Sequence, residues 1–144
     1  MQASASVGTQ PPRIAVVTAG LMLVEAVTLA VASIIHFGVV ISLGVVTLND
    51  PFAGARFPEA ILALAVAAGA TSLLTPWAGA WRLALATTLL TIVGVLVGVR
   101  FVLVGPISRP GDLLYHASLL IALLVTVPPL LRLRTRGGLT RRAG

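Results

Sequence analysis

The side chains that could carry chemistry in this chain are few, and they stand at recognisable spacings. Its 144 residues include four carboxylates, two histidines and no cysteine. Asp112 and His116 are four residues apart, which places them side by side on a helix, with Tyr115 next to them. Glu25 and His36 are eleven residues apart, close to three helical turns, so they would share a face. These groups could serve acid–base catalysis, ion pairing or metal binding.

Metal binding is the sharpest of these chemistries, but the spacing does not favour it. Two histidines and two carboxylates are a permissible ligand set for zinc, copper or non-haem iron, and two histidines could clamp a haem. The positions of His36 and His116 match no established metal signature. We therefore predict no cofactor and keep these histidines as the alternative metal ligands. Without cysteine, thiolate sites and disulfides are excluded.

Four long apolar runs must position these groups. Residues 14–36, 58–74, 83–104 and 113–131 are each long enough, as helices, to cross a bilayer core of about 30 Å. The chain is 58% hydrophobic and 10% charged, far from the roughly 25% charged residues of soluble domains. We therefore predict an all-α membrane protein: a four-helix transmembrane bundle formed by residues 14–131, between a disordered tail (1–13) and a basic tail (132–144).

The stretch after the first run is apolar but too short to be another span. Residues 37–48 read FGVVISLGVVTL, and Asn49, Asp50 and Pro51 follow with turn chemistry. Twelve residues predict an interfacial or re-entrant segment, an extension of the first helix, or a short extended piece. Near the other end of the chain, Pro128 and Pro129 should kink or end the fourth helix.

The arginines predict the orientation of the four spans. Four spans place both termini on one side, with seven arginines: Arg13, Arg82, Arg132, Arg134, Arg136, Arg141 and Arg142. The other side has three: Arg56, Arg100 and Arg109. The positive-inside rule therefore predicts cytoplasmic termini. Lysine is absent and Ala, Val, Leu, Gly and Arg dominate, which indicates a GC-rich bacterial genome and hence the bacterial cytoplasmic membrane.

The positive charge has a membrane explanation. The net charge is +6, and five arginines crowd the last thirteen positions, directly after an apolar run. Such a cluster is typical of segments that meet anionic lipid head groups, so we predict no nucleic-acid partner. Near the amino terminus, residues 30–32 have the small-x-small form of a signal-peptide cleavage site. We expect no cleavage there, because Glu25 interrupts the apolar core that such a peptide needs.

Small residues recur at helix-packing spacing. Gly94 and Gly98 form a GxxxG motif in the third run, and Ala65, Gly69 and Ser72 lie along one side of the second. Such stripes let helices approach closely within a membrane. They indicate packing within one chain or, as the alternative, a homodimer through Gly94 and Gly98.

The number of residues from the start of each span gives the depth at which each ionisable group lies in the membrane. At about 1.5 Å per residue, Glu25 lies roughly 18 Å into the first span, near the midplane. A carboxylate there costs about 2.5–3.5 kcal/mol, so it should face the interior, as a proton or ligand site or as a hydrogen-bond acceptor. The expected donors are Thr71, Ser72, Thr87 and Thr91.

The other polar groups gather at the outer ends of the spans. This outer cluster comprises His36, Glu59, Arg100, Asp112, Tyr115 and His116. One interpretation is an ion-pair network in which Arg100 pairs with Asp112 or Glu59 while Asp112 orients His116. The alternative is a catalytic or redox site.

Three functions compete on these observations. The leading hypothesis is a non-enzymatic accessory or scaffold subunit that packs against a membrane-protein partner or a second copy. The second is a small proton-coupled transporter or lipophilic-ligand binder using Glu25, which predicts a water-accessible cavity reaching that residue. A lone acid in the first of four spans is similar to small multidrug-resistance transporters, but the stretch 37–57 and the scarcity of aromatic residues depart from that family. The third is a membrane enzyme or redox protein using the outer cluster.

Overall fold

The computed structural model describes residues 11–105 and 110–140, with side chains up to residue 134. It contains four helices, α1 (Arg13–His36), α2 (Arg56–Ser72), α3 (Ala80–Val104) and α4 (Pro110–Thr140). Two short strands, β1 (Ile41–Leu43) and β2 (Val46–Leu48), join α1 to α2. The prediction of a helical chain is confirmed, with this hairpin as the exception.

Three of the four helices are long and apolar enough to cross a membrane. They are α1, α3 and the Pro110–Arg134 part of α4, as expected of a multi-pass membrane protein. Helix α2 has 17 residues and is not among them. At 1.5 Å per residue it is about 25 Å long, shorter than the hydrocarbon core of a typical bilayer, so the prediction that residues 58–74 cross the membrane is not confirmed.

The helices pack in a ring in which each packs mainly against two others. Helix α1 packs against α2 and α4, and α3 packs against the same two. The directions alternate: the end of α1 meets the start of α2 where His36 approaches Glu59, and a Cβ added at Gly69 in α2 would meet Met22 in α1. At Gly94 in α3, an added Cβ would meet Leu62 in α2.

The buried residues of α1 and α4 follow a helical seam. On α4 the buried positions step by four and three residues, which keeps one face turned inward: Asp112, His116, Leu119, Leu123, Thr126 and Leu130. On α1 the same steps run through Thr18, Met22, Glu25, Leu29, Ala32 and His36. The expectation that Glu25 and His36 share a face is confirmed.

The stretch after α1 is a β-hairpin. Of the three alternatives predicted for residues 37–48, this is the short extended piece. Its pairs are Ile41 with Leu48, Ser42 with Thr47 and Leu43 with Val46. Gly44 has φ 65° at the first position of the two-residue loop, where type II′ hairpins require a positive φ. Period-two geometry puts the apolar pairs on one face and Ser42 with Thr47 on the other.

Helix α4 does not end at its prolines. Pro128 and Pro129 lie inside it, and it continues to Thr140. Of the two alternatives expected at these prolines, a kink or an end, the end is therefore wrong, and the predicted basic tail 132–144 begins in helical conformation. Each proline removes one backbone hydrogen bond, but Leu130 is fully buried directly after them and anchors the helix beyond.

Some predictions fall outside the described residues. They concern residues 1–10 of the predicted amino-terminal tail, residues 106–109 with Arg109, and residues 141–144 with Arg141 and Arg142. The side chain of Arg136 is likewise outside the described part.

Candidate functional site

Three helices bring most of the predicted outer cluster together. His36 ends α1, Glu59 lies in the first turns of α2, and Asp112 and His116 lie in the first turns of α4. All four side chains are buried. We call this end of the helix ring, where α1 ends and α2 begins, the polar end.

His36 and Glu59 form the first pair at the polar end. The His36 Nδ1 lies 2.7 Å from the backbone oxygen of Asp50. Because a carbonyl oxygen only accepts, Nδ1 must carry a hydrogen. The opposite nitrogen, Nε2, is 3.5 Å from Glu59 Oε2. Attraction across that distance requires one further proton, either on Nε2 or on the carboxyl group. The two side chains therefore act as one proton-holding unit.

The carboxyl group of Glu59 is unusual in its surroundings. The residue is 5% exposed, and neither side-chain oxygen has a hydrogen-bond partner among the described residues. The His36 contact at 3.5 Å is an ion-pair distance without hydrogen-bond geometry. Buried polar atoms in folded proteins are nearly always hydrogen bonded, so two oxygens without a donor mark a site where another group belongs.

Asp112 and His116 form the second pair. The His116 Nδ1 lies 2.8 Å from the backbone oxygen and 3.0 Å from the Oδ1 of Asp112. Both are acceptors, so Nδ1 carries the hydrogen and Nε2 faces the other way. That nitrogen packs against Gly98 of α3, where an added Cβ would collide with it. Gly98 thus makes room for the imidazole.

Tyr115 lies beside these pairs. Its ring meets that of His116 edge to face at 4.9 Å, and Glu59 and Asp112 are near enough to act on it electrostatically. Its hydroxyl is buried and finds no hydrogen-bond partner in the described part of the chain.

Arg100 does not join the cluster. It is exposed, and within residues 11–105 and 110–134 no ion pair links it to Glu59 or Asp112. The predicted Arg100 ion pair is therefore wrong. Depth counting gave the height of Arg100 correctly, but it lies two residues from Gly98, about 200° around α3, and points away from α4.

A cavity of about 260 Å³ opens at the polar end between α2, α3 and α4. Its polar lining among the described residues consists of Glu59, Asp112, Tyr115 and His116, while the rest is largely apolar. Val97 and Phe101 line the cavity and are 48% and 62% exposed, so it reaches the outer surface of the helices. The arrangement can hold a small apolar molecule with one polar group.

Glu25 lies on α1 outside the lining of this cavity, on the side away from the polar end. It is 3% exposed, and Thr126 Oγ1 donates a hydrogen bond of 2.7 Å to its Oε1. Its other oxygen, Oε2, has no partner among the described residues. The cavity extends to Leu29, one turn away, so the predicted cavity reaching Glu25 is not the one at the polar end.

The expected donors to Glu25 are wrong. The hydroxyl group of each expected donor donates to a backbone oxygen instead; these donors are Thr71, Ser72, Thr87 and Thr91. Thr126 was missed because it lies 101 residues away. The signal was present in the spacing, since Thr126 is the next polar position after His116 on the four-and-three seam that begins at Asp112.

The small residues predicted to pack helices lie against other residues of the same chain. An added Cβ would strike Leu62 at Gly94, His116 at Gly98, and Thr87 and Ala84 at Gly69, while Ala65 is half-buried. Packing within one chain therefore uses the GxxxG face. Among the described residues, no group of three or more histidines and carboxylates is arranged to hold a metal ion.

Comparison with protein-family models, with curated proteins and with solved structures found no match to this chain.

Proposed function

We propose that this chain is a multi-pass membrane protein that binds a lipophilic ligand in the cavity at the polar end, without converting it chemically. One observation carries the proposal: the buried Glu59 carboxyl group, without a hydrogen-bond donor, lines a largely apolar cavity of about 260 Å³. An apolar pocket with a few convergent polar groups is the usual form of a small-molecule site.

The route into the cavity supports a lipophilic ligand. Val97 and Phe101 belong both to its lining and to the exposed surface of α3, a helix long and apolar enough to span. In a bilayer that surface faces the acyl chains. A ligand would therefore arrive sideways from the lipid, which favours molecules that already partition into membranes.

We further propose that the chain crosses the membrane four times. Helix α2 is short, but three consecutive bonds of the i to i+3 type continue its last turn to Thr75. Residues 73–77 then border a cavity together with Pro11 and Pro12, next to the start of α1. The chain from α2 to Trp77 thus runs along the whole of α1. With four crossings, the arginines favour cytoplasmic termini in a bacterial membrane.

The test is native mass spectrometry of the protein released gently from membranes, with a matched pair of variants. Val97→Trp should fill the mouth of the cavity, whereas Val93→Trp, one turn away, puts the same side chain on the exposed face outside it. We expect a bound lipophilic mass in the wild type and in Val93→Trp, and its loss in Val97→Trp. Equal occupancy in the two variants, or no bound lipophile at all, would overturn the proposal.

The accessory or scaffold subunit is the second candidate. The hairpin favours it, because Leu43 and Val46 are exposed and form an apolar face with Ile41 and Leu48 that no helix of the described residues covers. In the same experiment, a stoichiometric second protein without a bound lipophile would favour this candidate. A bound molecule released with a changed mass would favour the membrane enzyme, which stays a prediction.

A further inference from the structure

The chemistry of the cavity lining narrows the class of ligand. Resting on the proposed function, we infer that the ligand is a lipophilic amine whose ammonium group binds the Glu59 carboxylate. The juxtaposition that carries this inference is a buried carboxyl group without a hydrogen-bond donor and a hydroxyl group without a partner among the described residues, both on the walls of one apolar cavity.

Acceptors dominate the polar lining. Both oxygens of Glu59 lack a donor, and the hydroxyl of Tyr115 has an unused acceptor site. An ammonium group offers three donors and no acceptor, so it matches this lining better than a hydroxyl group with one donor.

Charge points the same way. The described lining residues include the carboxyl group of Glu59 but no arginine, and the chain contains no lysine. The group facing Glu59 that can carry a positive charge is His36, whose Nε2 lies 3.5 Å from Oε2 without hydrogen-bond geometry. A ligand carboxylate or phosphate would add like charge beside Glu59 in a region of low dielectric, which is strongly unfavourable. A cation instead gains a charge-assisted hydrogen bond there. Phe52 and Phe101 also present aromatic rings to the cavity, which adds favourable cation–π contact.

Volume limits the hydrocarbon part. A cavity of 150 Å³ accommodates benzene, so about 260 Å³ accommodates an aromatic ring with a short chain. The matched probes are therefore 4-phenylbutylamine, 4-phenylbutan-1-ol and butylbenzene, which share one carbon skeleton and differ only in the terminal group.

Equilibrium binding of the three probes to the full chain in lipid nanodiscs tests the inference, with empty nanodiscs correcting for partition. We expect the amine to bind at least about tenfold more tightly than the alcohol, because only the amine pairs its charge with Glu59. Glu59→Gln should remove that preference while the alcohol still binds, which also shows that the variant is folded. Glu25→Gln, an acid outside the cavity lining, should keep the preference.

The outcomes separate the two proposals. If all three probes bind equally, or if Glu59→Gln keeps the preference for the amine, the inference about the ligand class is overturned while the cavity remains a lipophilic site. If no probe binds above the empty nanodiscs, the proposed function itself fails.

Discussion

Replacing Gly69 by alanine should weaken the folded state because three helices meet at this position. An ideal Cβ there would lie 3.1 Å from the Cα of Ala84, and it would also press on Thr87 and on Met22. Side chains can rotate away, but a backbone Cα cannot. Ordinary contact begins at 3.4 Å, so α2 and α3 must separate by at least 3.4 − 3.1 = 0.3 Å at this point. Overpacking of this kind typically costs about 1–3 kcal/mol.

We therefore expect Gly69→Ala to lower the free energy of unfolding by about 2 kcal/mol, which is roughly a 30-fold change in the folding equilibrium. The assay is equilibrium unfolding in mixed micelles, followed by circular dichroism. Gly20→Ala is the matched control, because Gly20 is exposed on α1 and an added Cβ meets nothing within 4 Å. The control should lose no stability. A Gly69→Ala protein as stable as the wild type, or an equal loss at Gly20, would refute this account of the packing.

Three further measurements probe the polar groups and the hairpin. A double-mutant cycle of Thr126→Val with Glu25→Met should give a coupling energy of about 0.6–1.7 kcal/mol in unfolding experiments, and a coupling of zero would show that the buried hydrogen bond adds no stability. Gly98→Ala should push the imidazole of His116 into the cavity and thereby lower the affinity for the probes in the nanodisc assay. Unchanged affinity would contradict the geometry. Because the chain has no cysteine, a nitroxide spin label can be attached specifically at Leu43→Cys or at Ser42→Cys. In power-saturation experiments the label at position 43 should be accessible to oxygen dissolved in lipid, and the label at position 42 to a water-soluble nickel complex. Equal accessibility at the two positions would argue against a two-faced hairpin.

The helices could be predicted well because length and apolarity determine them directly. The first run, 14–36, differs by one residue from α1 (Arg13–His36), since the arginine and the turn after His36 bound it on both sides. The hairpin was one of three alternatives, because a short apolar run fits a strand or an interfacial helix equally by periodicity. The pairing across the Gly44 loop, which depends on backbone geometry, decides between them.

The position of each site residue along its helix could be predicted, but the direction in which its side chain projects around the helix could not. Counting residues along each span placed His36, Glu59 and His116 at one end, and the structure brings them to the polar end. The same count placed Arg100 there, yet it projects from the other side of its helix. The pairing of Glu25 with Thr126 depends on which helices are neighbours in the ring, and a single sequence contains little information about that order.

The hairpin also bears on how the protein meets bilayers of different thickness. A two-stranded ribbon keeps unpaired backbone groups along both outer edges, and such edges are not tolerated against lipid tails. We therefore expect the ribbon to stay at the boundary with water and to keep α1 from moving deeper, which would fix the depth of the polar end in the membrane. Any hydrophobic mismatch must then be absorbed at the opposite end by helix tilt. Membrane thickness would thus change the angle of the spans while the mouth of the cavity stays at a constant depth.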